Sequence, residues 1–381
     1  MQQFSLSANI EEGQNKDFNY IVTPNAQEVA SGIVNGYNSG IHSFTIIGSY
    51  GTGKSCFLLA LEKDLQSKGQ HNLINPQTLS SCKKYEVLKI VGDYKDLASL
   101  MRNKLAIDGT SDNVLDELRN RYNQAKKRGS FLIIFIDEFG KVLEHAAKND
   151  PEQELYFMQK LAEFVNVPNR QILLVTTLHQ NFSAYARKLS IVQKEEWNKV
   201  KGRFKELVFI EPVEQLLYLA SKQNGSCKDL GDNETVLTKL CELAKDTKFV
   251  SDGFTPETAK ALYPLEPFSA YAITQAIQRY GQNERSLFSF LNTKGANSLC
   301  GYEDGFYSIA NCYDYILHNF YSYLKDANAD SMQWSSMQVA LERVEGQSWK
   351  TKNELLGAIK IVKTIGLLNL LGNSSFKMTR E

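Results

Sequence analysis

Eight residues, Gly48-Ser49-Tyr50-Gly51-Thr52-Gly53-Lys54-Ser55, follow the apolar run 44–47 and match the pattern G-x-x-x-x-G-K-[ST]. Glycines let a backbone curl until successive N–H groups converge on phosphate oxygens, and the start of the next helix adds partial positive charge. A lysine at the seventh position reaches the β and γ phosphates, and the hydroxyl after it ligates Mg²⁺. Lys54 and Ser55 hold those positions, and with Cys56 the loop makes up the expected nucleotide-binding set. Context separates this stretch from a chance glycine turn, since a buried-type strand precedes it and an amphipathic helical stretch follows.

A second stretch, "FLIIFIDEFGK", carries six apolar residues and then Asp137-Glu138. Two acids at the exit of a buried strand are costly unless something cationic meets them. Beside a phosphate loop that partner is Mg²⁺ with the attacking water. Asp137 is then the metal-holding residue, and Glu138 the general base or water-positioner for hydrolysis of the γ phosphate of ATP.

These residues need a frame to hold them. Short, mostly continuous apolar runs at 44–47, 85–91, 131–136, 172–177 and 207–210 alternate with helical stretches. Such alternation predicts an α/β fold with a parallel sheet covered on both faces. After Pro212 the strand pattern stops, and helical periodicity continues to about residue 294. A loop, "NTKGANSLCGYEDGF", opens a third region, helical through Leu324 and again around 337–344. Its last stretch reads as a helix running into two short apolar segments around Gly372-Asn373, which suggests a small winged-helix-like domain.

Composition narrows the class. The chain has 381 residues, more than one hydrophobic core usually spans. Lys+Arg and Asp+Glu both number 43, so a globally basic nucleic-acid binder is disfavoured, although a local basic face is not. Six scattered cysteines form no CxxC pair and no zinc-finger spacing, which fits a reducing cytoplasm. No stretch has signal-peptide or membrane-span character. The abrupt end, "FKMTRE", suits a piece of a longer chain as well as a complete one.

The order of these features resembles the AAA+ superfamily of P-loop ATPases, in the branch that includes origin-recognition-type and STAND-type members, over roughly residues 20–295. The resemblance implies a P-loop NTPase core with a five-stranded parallel sheet, a helical lid and a C-terminal winged-helix-like domain. It divides the chain into an N-terminal segment (1–30), the ATPase core (31–212), the lid (213–295) and the tail domain (296–381). In that family the strand after the acidic pair ends in a polar sensor. Here "ILLVTTLHQNF" offers Thr177 at the exit with His179 and Gln180 beyond, and no asparagine at the usual place. "WNKVKGRFKELVFIEP" is similar to the element that presents an arginine finger to a neighbouring subunit, which makes Arg203 the candidate. "GQNERSLFSFL" is similar to the second sensor in the lid, with Arg285 the candidate and Arg279 its decoy. The segment at Tyr20 to Thr23 resembles the one that lies over adenine.

The resemblance implies an ATPase using Mg²⁺ and working as a homo-oligomer or with partner ATPase subunits, away from membranes. Two uses of the energy stay open. One is a conformational or assembly switch acting on DNA, with Lys350, Lys352, Lys360 and Lys363 supplying phosphate contacts, in the setting of bacterial defence against phage that the resemblance offers. The other is a STAND-like signalling ATPase whose nucleotide state gates oligomerisation and recruits a protein effector.

Overall fold

Five runs form strands: β1 (Ser43–Ile47), β2 (Lys84–Val91), β3 (Ser130–Asp137), β4 (Ile172–Leu178) and β5 (Lys205–Val208). They pair in parallel in the order β2-β3-β4-β1-β5. The computed structural model of the protein describes residues 9–11, 20–67, 71–82, 84–224, 230–281, 286–325 and 329–372.

Successive strand side chains point to opposite faces, so a sheet covered on both sides needs apolar residues at every position. β3 meets that demand. Leu132, Ile134 and Ile136 enter one core, while Phe131, Ile133 and Phe135 enter the other. The same alternation continues on β4, where Ile172 and Leu174 face the first core and Leu173 and Val175 the second. Every residue of β3 and β4 is buried. The register sets Ile136 opposite Thr176 and Ile47 opposite Leu178, so the exits of β1, β3 and β4 lie at one end of the sheet.

β5 starts two residues before the expected run 207–210. Pairing with β1 sets Phe44 against Lys205 and Ile47 against Val208. β5 is an edge strand, and an edge tolerates the polar Lys205 and Glu206 that an interior strand would not. A buried ion pair, Lys89 Nζ to Glu62 Oε2 at 2.9 Å, links β2 to the Lys54–Ser67 helix. Asp64 on that helix is fully buried and accepts backbone N–H groups of His71, Leu73 and Ile74.

The chain forms two compact units, Met1–Ile210 and Glu211–Glu381. Among the described residues the second unit is helical apart from a single bridge between Leu265 and Tyr307. Its apolar core runs from Val213 to Leu371 with members on both sides of position 295. The expected lid and tail therefore share one core. The Lys352–Leu371 helix corrects the expected hairpin on one side, because the apolar segment before Gly372 is helical. Leu367, Leu368 and Leu371 repeat at helical spacing on its buried face, and a Cβ at Gly366 would come within 2.4 Å of Met337 Sδ. Close helix packing, not strand pairing, satisfies this segment. The other half of the expected hairpin lies outside the described residues. No helix among the described residues is long and apolar enough to cross a membrane.

Phe135 is 1% exposed on β3, an interior strand of the sheet. Phe135→Ala is expected to lower stability by about 3–5 kcal/mol, read as the shift in a urea unfolding midpoint.

Candidate functional site

The loop after β1 begins at a crossing of strands. Gly48 N–H donates to Leu178 O at 3.0 Å, and Phe209 N–H donates to Ile47 O at 2.6 Å. A Cβ at Gly48 would stand 2.1 Å from Phe209 O, so only glycine fits there. Gly51 and Gly53 adopt φ of +73° and +95°, the left-handed region that side chains disfavour. Thr52 Oγ1 closes the turn by donating to Ser49 O at 2.9 Å. The Lys54–Ser67 helix starts at once, placing Lys54, Ser55 and Cys56 in its first turn.

Lys54 donates through Nζ to Gly48 O at 2.5 Å and to Ser49 O at 2.8 Å. Burial pushes its pKa from 10.5 down to about 8, against the opposing pull of Asp137 and Glu138. The ammonium thus folds back on its own loop while remaining within the field of both acids. Burial, and then Asp137, pushes the Cys56 thiol up to about 11, which makes it an inert filler.

Asp137 closes β3 and is 3% exposed. Its Oδ1 accepts from the Thr177 hydroxyl at 2.6 Å and from Glu138 N–H at 3.1 Å. Thr177 Oγ1 also accepts from Glu138 N–H at 2.9 Å. One hydroxyl at the exit of β4 therefore holds the Asp137 carboxylate and the Glu138 backbone together. Glu138 itself sits at φ +51°, a left-handed conformation that costs a residue with a side chain about 1 kcal/mol or more. Gly92 makes the turn fit, since a Cβ there would stand 2.3 Å from Glu138 O. Glu138 Oε2 is ion-paired with Lys141, three positions further along the chain.

Beyond Thr177, His179 stacks on Tyr50 of the loop, with ring centroids 4.6 Å apart. Burial first, and Lys54 next, hold the His179 imidazole down to about 4. Neither the position of Gly92 nor the Tyr50–His179 pair emerged from the sequence patterns. A glycine at the exit of β2 was the available signal for the first.

Other expected residues fall elsewhere. Arg203 lies at the opposite end of the sheet: its carbonyl accepts from Ser43 Oγ, at the start of β1, at 2.6 Å. With β1 five residues long, it stands on the order of 15 Å from the loop of its own chain. Its guanidinium donates to Glu163 at 2.8 Å and to Lys199 O at 3.0 Å. Arg285 lies outside the described residues. Arg279 is paired with Asp330. Tyr20 meets His71 edge-on, and Thr23 caps the Pro24–Asn38 helix by accepting from Ala26 N–H at 3.1 Å. Lys350, Lys352 and Lys360 are exposed, whereas Lys363 donates to Asp314 at 2.6 Å.

The residues fit Mg²⁺ with a nucleotide. Ser55 and Asp137 offer hard oxygen donors, and the glycine-rich turn leads directly into a helix N-terminus. Among the described residues no cluster of three His, Cys, Asp or Glu gathers. A Mg²⁺ that keeps its waters and shares phosphate oxygens requires none. The parallel sheet, the glycine loop behind β1 and the acids closing β3 are the features that decide the fold. It is a P-loop α/β fold with a five-stranded parallel sheet.

No protein-family model and no curated protein matches the sequence. Among solved structures, the Aeropyrum pernix ORC2 protein with ADPNP and ADP is 14% identical, with a TM-score of 0.40 over 91% of this chain and 82% of that one. Caenorhabditis elegans PCH-2 is 14% identical, with a TM-score of 0.37 over 80% and 71% of the two chains. Drosophila ORC bound to DNA is 12% identical, with a TM-score of 0.38 over 92% and 73%. At these scores the likeness adds nothing to what the chain's own topology shows.

Lys54 releases its proton more readily in the folded chain than its ordinary value of 10.5 allows, near 8. Between those values the unfolded chain binds more protons, so stability rises with pH there. Without nucleotide, the stability of the wild type relative to Lys54→Met is expected to increase from about pH 8 to about pH 10.5, as read by denaturant midpoints at each pH.

Proposed function

We propose that the chain binds ATP with Mg²⁺ at residues 48–56 and hydrolyses it to drive a conformational or assembly switch in the cytoplasm. The observation that carries this reading is the convergence of Lys54, Asp137, Glu138 and Thr177 at one end of a parallel sheet. Lys54 lies in the field of both acids, and Thr177 is bonded to the acidic pair.

In this reading Lys54 leaves the carbonyls of Gly48 and Ser49 to hold the β and γ phosphates. Main-chain N–H groups from Gly48 through Cys56 wrap the same phosphates. Ser55 and Asp137 hold Mg²⁺, which supplies charge neutralisation on the phosphoryl oxygens. Thr177 keeps the Asp137 carboxylate and the Glu138 backbone in place, which is the positioning role expected of a sensor. Glu138 accepts a proton from the attacking water, and its release from Lys141 precedes that step. Arg285 acts from the lid, and the division at positions 30, 212 and 295 belongs to the same proposal.

Arg203 cannot serve the loop of its own chain from the far end of the sheet. It acts on a neighbouring subunit after exchanging Glu163 for phosphate, so hydrolysis requires an oligomer or a partner ATPase. For the output, action on DNA in bacterial defence against phage follows the family resemblance. Recruitment of a protein effector has a specific observation in its favour. Lys363 is already paired with Asp314, while Leu356, Ile361 and Ile365 are exposed on the same helix.

Lys54→Ala is expected to abolish binding of a fluorescent ATP analogue. Glu138→Gln is expected to retain that binding and to lose about 10²–10⁴ in turnover; unchanged turnover would remove Glu138 from the chemistry. Arg203→Ala is expected to lose about 10³–10⁵ in turnover. Mixing it with Lys54→Ala should restore activity, because each variant then supplies what the other lacks. No recovery on mixing would place Arg203 outside the site.

A further inference from the structure

Tyr50 lies within the phosphate loop, and its ring stacks on His179 with planes 22° apart. His179 Nδ1 in turn bonds the Tyr185 hydroxyl at 2.9 Å, on the short Phe182–Tyr185 helix. Both side chains close on Gly140, in the first turn of the Phe139–Lys148 helix. A Cβ at Gly140 would stand 2.3 Å from the Tyr185 hydroxyl and 3.0 Å from His179 Nδ1. That glycine is two positions beyond Glu138. One imidazole therefore touches the phosphate loop on one side and the turn carrying the acidic pair on the other.

The two contacts differ in kind. Stacked rings hold each other by area and quadrupole, without needing a proton. The bond to Tyr185 needs the imidazole nitrogen, and Tyr185 occupies the space that a larger residue at position 140 would fill. Removing the stack frees Tyr50 and the loop. Removing the bond takes away the imidazole's hold on the Tyr185 hydroxyl, one support of the wall against which the Glu138 turn is built.

We propose that His179 is a positioning residue that fixes the phosphate loop through Tyr50 and the Glu138 turn through Tyr185, setting both halves of the site together. The inference rests on the ATP reading above and specifies how that site is held in shape.

Three variants separate the contacts. His179→Phe keeps a ring against Tyr50 and loses the bond, Tyr185→Phe loses the same bond from the other side, and His179→Leu loses both. The readouts are the Kd for a fluorescent ATP analogue with Mg²⁺ and amide hydrogen exchange over residues 48–55 and 138–146 with the analogue bound. His179→Leu is expected to weaken binding about three- to tenfold, the worth of one aromatic pair, and His179→Phe to stay within about twofold. His179→Phe and Tyr185→Phe, which delete the bond alone, are expected to speed exchange of the Glu138 turn about fivefold while leaving residues 48–55 unchanged. Should His179→Leu fail to fold, the two phenylalanine variants decide.

Equal weakening in His179→Phe and His179→Leu would overturn the proposal, as would wild-type exchange in both phenylalanine variants. A lower melting temperature with unchanged Kd and exchange would mark His179 as ordinary packing and also overturn it. A wild-type chain that binds no analogue would overturn the ATP reading itself, whereas intact binding with indifferent variants defeats this inference alone.

Discussion

The hydrogen bond from the Thr177 hydroxyl to the Asp137 carboxylate is the contact on which the site depends. Asp137 is buried, and a buried carboxylate without a partner costs several kcal/mol. The bond at 2.6 Å satisfies one oxygen and leaves the rest of the carboxylate for a cation. It exists only because β3 and β4 run parallel in the register that sets Ile136 opposite Thr176. A slip of one residue would turn every side chain of a strand to the other face and separate this pair. The apolar runs that fill both cores therefore also determine the geometry of the two polar residues at their ends.

The backbone of Glu138 shows how local strain is accommodated around that contact. A left-handed residue at the strand exit is held by its N–H on Thr177 and Asp137, and by Gly92 leaving room for its carbonyl. The strain is small beside the hydrophobic burial of β3, where each large side chain contributes about 1.5–3 kcal/mol. Strain of this kind persists because the surroundings leave no alternative.

Much of this architecture was legible in the sequence. Continuous apolar runs flanked by helical periodicity marked all five strands, because a doubly covered parallel sheet leaves few other ways to write them. The phosphate loop and the acids were legible because their chemistry demands fixed residue types at fixed spacing. Contacts between distant segments were not. Tyr50 and His179 lie far apart in the chain, and no local period records that their rings meet. The start of β5 was misread because edge pairing, not hydrophobicity, decides where that strand begins. The segment before Gly372 was misread for a related reason. Its leucines serve a helix pressed against Met337, and a short apolar run looks alike in either state. That Arg203 lies beside Glu163 likewise needed the fold, since the two are brought together by β1 and the helices around it.

The placement of Arg203 carries a consequence for symmetry. The cradle lies at one end of the sheet and its proposed complementary guanidinium at the other. A two-fold pair could join them only through an interface that spans both ends of the sheet, with each copy's guanidinium in the other's cradle. Copies joined by one such contact at each interface run head to tail, and they either close into a ring or leave two unlike ends. In an open row the terminal cradle has no arginine and the opposite arginine has no cradle, so the number of complete sites is always one fewer than the number of subunits.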